Sequence, residues 1–71
     1  MPSFKILDVV ALLQDLPEKK LVRGQVGTVV EHLDDNLFEV EFVDTKSGET
    51  IALEPVKGSD LFLLYFEFEK V

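Results

Sequence analysis

The sequence predicts a small all-β domain of about five short strands. Residues 37–43 alternate between apolar and acidic side chains, turn-forming residues recur along the chain, and its 71 residues suffice for one domain. Period-two alternation of aromatic and β-branched residues is typical of a strand with one buried face. Because a chain this short has too little core for two full packed sheets, we expect residues 1–71 to form one strongly bent β-barrel.

The first apolar segment has two interpretations. Apolar positions within residues 6–13 have the spacing of one helical face, and alternate positions of the same segment fit a strand. Periodicity alone does not separate the two. Pro17 ends the segment in either case, and a longer loop is expected from Leu16 to Gly24.

A hairpin is the best-defined feature of the sequence. Residues 26–33 are rich in Val and Thr, and Asp34-Asp35-Asn36 separate them from the alternating residues 37–43. Asp and Asn tolerate the positive φ of tight hairpin turns. A second turn at residues 44–48 then precedes a short strand predicted over residues 49–54.

The expected core consists of apolar residues assigned to inward-facing positions. These are Val9, Leu13, Val29, Phe38, Val40, Phe42 and Leu53. Two glycines have structural interpretations: Gly24 takes a positive φ where the loop ends, and Gly27 permits close strand packing or a bulge. The segment around them lacks the Lys-Ser/Thr ending and helix start of a phosphate-binding loop.

The C-terminal segment is apolar on both sides. Pro55 and Gly58 are expected to break the chain before a last strand from residue 60 to residue 68. One face of that strand would carry Phe62, Leu64, Phe66 and Phe68, and the other Leu61, Leu63 and Tyr65. A barrel strand needs only one apolar face, and an exposed apolar strand invites edge pairing. The segment therefore either folds back to complete the core, or forms a homodimer contact or a docking strand for another protein.

Two sequence runs carry a family resemblance: LDVVALLQDLPEKKLVRGQVGTVVEHL, followed by FEVEF. They resemble a bacterial family of short proteins classed as a domain of unknown function, in which DVVAL, DLPE, GxVGTVVE and YEVEF segments follow in this order. The resemblance covers about residues 7–54 and is most specific from Leu21 to Phe42. The ending LFLLYFEFEKV departs from the polar tail usual in that family.

That family is similar to SH3-like barrels, including the photosystem accessory subunit and the variable chain of ferredoxin-thioredoxin reductase. More distantly it resembles the KOW element of transcription and ribosomal factors. The resemblance implies an SH3-like barrel whose first apolar segment is a strand. It implies no particular activity.

Acidic residues outnumber basic ones by 14 to 7, which gives a net charge of −7. This sign disfavours nucleic acid and anionic membrane surfaces as partners. The excess is concentrated in residues 31–49. This acidic stretch is either a solvated face that aids solubility or a surface that attracts a basic partner protein. Glu39 and Glu41 are expected in water, on the side of their strand opposite the core.

The sequence offers no catalytic residues, metal ligands or cofactor motif. It contains no cysteine, and His32 is the only histidine, so neither a zinc site nor a Ser–His–acid triad has enough members. The N-terminus lacks the pattern of a signal peptide, and no apolar run approaches the ~18 residues of a membrane span. A non-enzymatic cytoplasmic protein is expected.

Two functional hypotheses follow. The first is a protein-interaction module, the acidic partner of another small protein as in antitoxin or immunity pairs, or a homodimer. Its partner-binding residues would be Phe62, Leu64, Tyr65, Phe66, Phe68, Glu39 and Glu41. The alternative is a KOW-like RNA- or ribosome-associated module that uses Lys19, Lys20, Arg23 and the nearby glycines.

Overall fold

The computed structural model describes residues 3–44 and 46–65. Its strands are β1 (Val9–Leu12), β2 (Val26–Asp34), β3 (Leu37–Val43), β4 (Thr50–Lys57) and β5 (Leu61–Tyr65). Short 3-10 turns cover Pro17–Lys19 and Gly58–Asp60, and the described residues contain no α-helix. The all-β class predicted from the sequence is confirmed.

The five strands form one antiparallel sheet in the order β4-β3-β2-β1-β5. The first and last strands are neighbours because β1 pairs with both β2 and β5. This order, with a 3-10 turn between β4 and β5, is that of the predicted SH3-like barrel. Among the strands of the described residues, β4 and β5 are the two edge strands of the sheet.

The predicted hairpin of β2 and β3 is confirmed, but its turn differs from the expectation. None of Asp34, Asp35 and Asn36 has a positive φ. Instead, the pairing of β2 with β3 shifts register twice, between Val29 and Glu31 and between His32 and Asp34. Such bulges increase the local strand twist, which a two-residue turn with positive φ would otherwise supply.

The core lies on one side of the sheet. Its buried apolar residues are Phe4, Val10, Leu12, Leu21, Val29, Phe38, Val40, Phe42, Val56 and Leu61. The prediction for Val29, Phe38, Val40 and Phe42 is confirmed. Phe4 packs edge-on against Phe38, with ring centroids 5.3 Å apart, so a residue that precedes β1 also belongs to the core.

Three core predictions are wrong: Val9, Leu13 and Leu53. Val10 and Leu12 are the buried residues of β1, which places Val9 on the other side of the strand, and Leu13 is exposed after the strand ends. On β4, Leu53 pairs with Glu41 and is exposed. Because side chains alternate along a strand, an assignment displaced by one residue moves each side chain to the opposite face.

Pro55 does not break the chain as expected. β4 begins at Thr50 and continues through Pro55 to Lys57, with Pro55 opposite Glu39. Proline is tolerated on edge strands, where one side of the backbone needs no N–H donor. Gly58 does end the strand, and β5 begins at Leu61.

Candidate functional site

The two edge strands of the sheet differ in how their edges are covered. At β4, the Lys19 ammonium donates a hydrogen bond of 3.1 Å to the backbone oxygen of Pro55. The same ammonium lies 3.5 Å from a carboxylate oxygen of Glu54, and Pro55 has no N–H to offer a new strand. The β4 edge is therefore covered locally by the loop between β1 and β2.

The loop that covers β4 is held by its own backbone. Leu16 and Leu21 bridge each other, with a hydrogen bond in each direction, around the 3-10 turn Pro17–Lys19. Lys20 closes the turn with a φ of 60°, and Leu21 is buried in the core. This anchoring fixes Lys19 beside β4.

The edge of β5 has no comparable cover within residues 3–44 and 46–65. Residues 61–65 pair with β1, and the Leu61 N–H also donates a hydrogen bond to the backbone oxygen of Gly58; within the described residues, residues 62–65 make no hydrogen bond other than those to β1. The strand contains neither proline nor a charged residue, and these are the residues that commonly protect edges. β5 is thus the open edge among the described residues.

The side chains of β5 divide between the core and the surface. Leu61, opposite Leu12, is buried, whereas Phe62 is 56% exposed, Leu63 39% and Leu64 50%. Leu64 lies where the pairing with β1 shifts register, next to the exposed Leu63 and Phe62. These residues form an apolar patch beside the open edge, which we call the β5 patch.

The predicted site residues of the C-terminal segment are placed as follows. Phe62 and Leu64 are exposed in the β5 patch, and the backbone of Tyr65 pairs with Val9. Phe66 and Phe68 lie outside the described residues.

The two predicted glutamates lie elsewhere on the sheet. Glu39 and Glu41 project from β3 away from the core and are half-buried, not fully solvated as expected. The Thr50 hydroxyl donates a hydrogen bond to the Glu41 carboxylate. β2 and β1 separate β3 from β5, about 14 Å across the sheet at the usual strand spacing. The structure therefore does not bring the glutamates and the β5 patch into one site.

The glutamates belong to a mixed acidic and apolar surface on the side of the sheet away from the core, which we call the outer face. Its residues are Thr28, Glu31, Glu39, Glu41, Leu53 and Pro55. Sequence reasoning missed the apolar part because it placed Leu53 in the core and ended the strand before Pro55. The pairing of β3 with β4 would have revealed it: when β4 extends to Lys57, Leu53 lies opposite Glu41 and therefore on the same side of the sheet as that glutamate.

Other candidate residues contribute little to a site. Lys19, proposed for RNA contact, is bound to Glu54 and Pro55. The His32 ring stacks on Phe38 at 4.7 Å. Residues 3–44 and 46–65 contain no group of three or more side chains arranged to hold a metal ion. No helix in the same residues has the length and apolar content needed to cross a membrane.

Comparison with known proteins gives one result. A family model described as a domain of unknown function (DUF4926) matches residues 6–63, which is most of the chain. The match includes β1 to β4 and ends within β5. It confirms the resemblance to an uncharacterised family. No match was found among the curated proteins or among the solved structures.

Proposed function

The chain belongs to the family described as a domain of unknown function (DUF4926), and we propose that it is a non-enzymatic protein-interaction module. Its binding element is the edge of β5, which accepts a strand from a different protein. The observation that carries the proposal is the contrast between the two edges of the sheet. Lys19 and Pro55 cover the β4 edge, whereas β5 combines the exposed β5 patch with an edge that no residue within 3–44 and 46–65 covers.

Binding by strand addition would use both the edge of β5 and the β5 patch. The backbone groups along the open edge supply hydrogen bonds, and the neighbouring side chains supply apolar contact and specificity. Full burial of a Phe or Leu side chain contributes about 1.5–3 kcal/mol. Phe62, Leu63 and Leu64 are each about half-exposed or less, so covering all three contributes a few kcal/mol.

Charge favours a different protein over a second copy of the chain. The net charge of −7 makes two copies repel at low salt, whereas a basic partner is attracted and associates faster. We therefore propose that the chain is the acidic member of a two-protein system, such as an antitoxin or immunity protein that binds a basic partner.

Co-expression with the product of the adjacent gene tests the proposal. We expect that product to co-purify with the full chain, and the double substitution Phe62→Ser and Leu64→Ser to abolish co-purification. Val22→Ser is the matched control, because Val22 is an exposed apolar residue in the loop between β1 and β2. Circular dichroism confirms that each variant is folded.

Light scattering of the chain alone separates the two possible occupants of β5. We expect a monomer over a range of concentrations. A dimer that the double substitution dissociates would assign the edge to a second copy. Absence of co-purification, or co-purification that survives the double substitution, would count against the proposed function.

A further inference from the structure

We propose that the outer face of β3 and β4 binds a basic amphipathic helix of a partner protein. The inference rests on the proposed function only in that the partner is a protein, and it uses a surface separate from the β5 patch. It is carried by the register of the outer face, its exposed apolar residues and its charge.

The outer face consists of two rows across the sheet. Thr28, Glu41 and Leu53 lie opposite one another on β2, β3 and β4. Glu31, Glu39 and Pro55 form the second row. Since residues directly opposite in a sheet project to the same side, these two rows place three carboxylates beside exposed apolar groups, including a leucine that is 53% exposed.

Glu31 and Glu39 are an unfavourable pair in the isolated protein. They lie directly opposite each other, and like charges in this position destabilise a sheet. Within residues 3–44 and 46–65, no Lys or Arg forms an ion pair with Glu31, Glu39 or Glu41. A lysine or arginine from a partner would therefore gain attraction and also relieve this repulsion.

A shallow cavity with mixed polar and apolar walls adjoins the outer face at the end nearest the loop between β3 and β4. It has a volume of about 330 Å³, and its walls combine the apolar Val26, Val43 and Ile51 with Gly24, Gln25 and Asp44. Ile51 is about half-exposed and lies two residues from Leu53. Ile51 and Leu53 therefore offer two exposed apolar side chains on β4, near the carboxylates of β3, against which a partner's leucine or isoleucine can pack.

The backbone requirements of the partner favour a helix. A strand laid across the face of a sheet would leave its own N–H and C=O groups unpaired, whereas a helix satisfies them internally. Glu39 and Glu41 are two residues apart on β3, which corresponds to about 6.5–7 Å between Cα atoms. Residues four apart on a helix lie about 5–6 Å from each other, so lysines at that spacing face both glutamates. A second copy of the chain, bound through the same face, would instead place its own Glu31, Glu39 and Glu41 against these three, so that six carboxylates would repel one another.

A designed peptide probes this surface directly. The probe is a fluorescein-labelled 18-residue amphipathic helix of leucine and lysine, and its counterpart has glutamate at every lysine position. Fluorescence anisotropy measures binding to the full chain at low salt. We expect the lysine peptide to bind and the glutamate peptide not to bind. Substitution of Glu39→Gln together with Glu41→Gln is expected to weaken binding at least tenfold, and Leu53→Ser at least threefold.

The matched control removes the same charge elsewhere. Asp35→Asn with Glu49→Gln changes two exposed carboxylates outside the two rows of the outer face, and less than a threefold loss is expected. An equal loss in both double variants would show that only net charge matters and would overturn the inference, as would absence of binding. The variant with Phe62→Ser and Leu64→Ser should bind the peptide normally. If it loses binding while the glutamate variant keeps it, the peptide occupies β5, and the outer-face inference fails without affecting the proposed function.

Discussion

Gly27 on β2 lies directly opposite Phe42 on β3, and its lack of a β-carbon leaves room for the adjacent Val40 side chain. A β-carbon at position 27 would lie 2.7 Å from Cγ1 of Val40 and 2.8 Å from the backbone oxygen of Glu41. Neither neighbour can move easily, because Val40 is fully buried and the oxygen belongs to the β3 backbone. The closeness of β2 and β3 therefore depends on glycine at this position.

Gly27→Ala is expected to lower the free energy of unfolding by about 1–3 kcal/mol or more, the usual range for overpacking a core. Urea unfolding followed by circular dichroism measures the change. Gly48→Asn serves as the control, because Gly48 has a φ of +79° with no atom near its missing β-carbon, and Asn tolerates that conformation. An unfolding midpoint for Gly27→Ala as high as that of the control would contradict the close packing.

The register of β1 predicts unequal effects at two adjacent valines. Val10 is fully buried, whereas Val9 projects to the outer side, opposite Thr28. Val10→Ala is expected to destabilise the protein by about 2 kcal/mol, through lost apolar burial and the cavity left behind. Val9→Ala is expected to cost less than about 1 kcal/mol. Equal losses in urea unfolding would place β1 in the opposite register.

β1 also shows where sequence information is insufficient for the fold. Residues 9–13 are all apolar, so alternation does not reveal which side of the strand is buried. β3 differs because Glu39 and Glu41 mark the side away from the core, and its bounds, Leu37–Val43, were predicted correctly. Register is determined by pairing with β2 and β5, which are distant contacts that a local pattern does not contain.

The candidate site was predictable only in part. The apolar character of residues 61–64 is visible in the sequence, and Phe62 and Leu64 are indeed exposed. The contrast between the two edges was not predictable, because it depends on the strand order and on Lys19 covering β4 while no described residue covers β5. The outer face was missed because Pro55 was expected to end β4.

Lys19 is expected to protect the β4 edge against association more than it stabilises the fold. Its ion pair with Glu54 is partly exposed, and such pairs contribute about 0–1 kcal/mol. Lys19→Met should therefore lower the free energy of unfolding by about 1 kcal/mol but increase self-association at high concentration, because an uncovered edge pairs with another chain. Light scattering of this variant against Lys46→Met, an exposed lysine in the loop between β3 and β4, measures the difference. Identical masses for the two variants would show that Lys19 is not needed to protect β4.

The Phe38 ring contacts two other rings, those of Phe4 and His32, and these two should contribute differently to the free energy of unfolding. Phe4 meets Phe38 edge-on and is 8% exposed, whereas His32 stacks face-to-face on Phe38 but is exposed. Phe4→Ala is expected to destabilise the protein by about 3–5 kcal/mol, the range for a buried Phe. His32→Ala should cost about 0.5–1.5 kcal/mol, the contribution of an aromatic pair.

The rank order of these two substitutions tests whether the segment before β1 is part of the folded core. That segment is held beyond its aromatic contact, because the Leu7 N–H donates a hydrogen bond of 2.6 Å to the backbone oxygen of Val29. His32→Phe serves as a control that keeps a ring on Phe38, and it should recover most of the stability lost in His32→Ala. Urea midpoints for the three variants give the comparison. If Phe4→Ala is no more destabilising than His32→Ala, Phe4 is dispensable, and the core begins at β1.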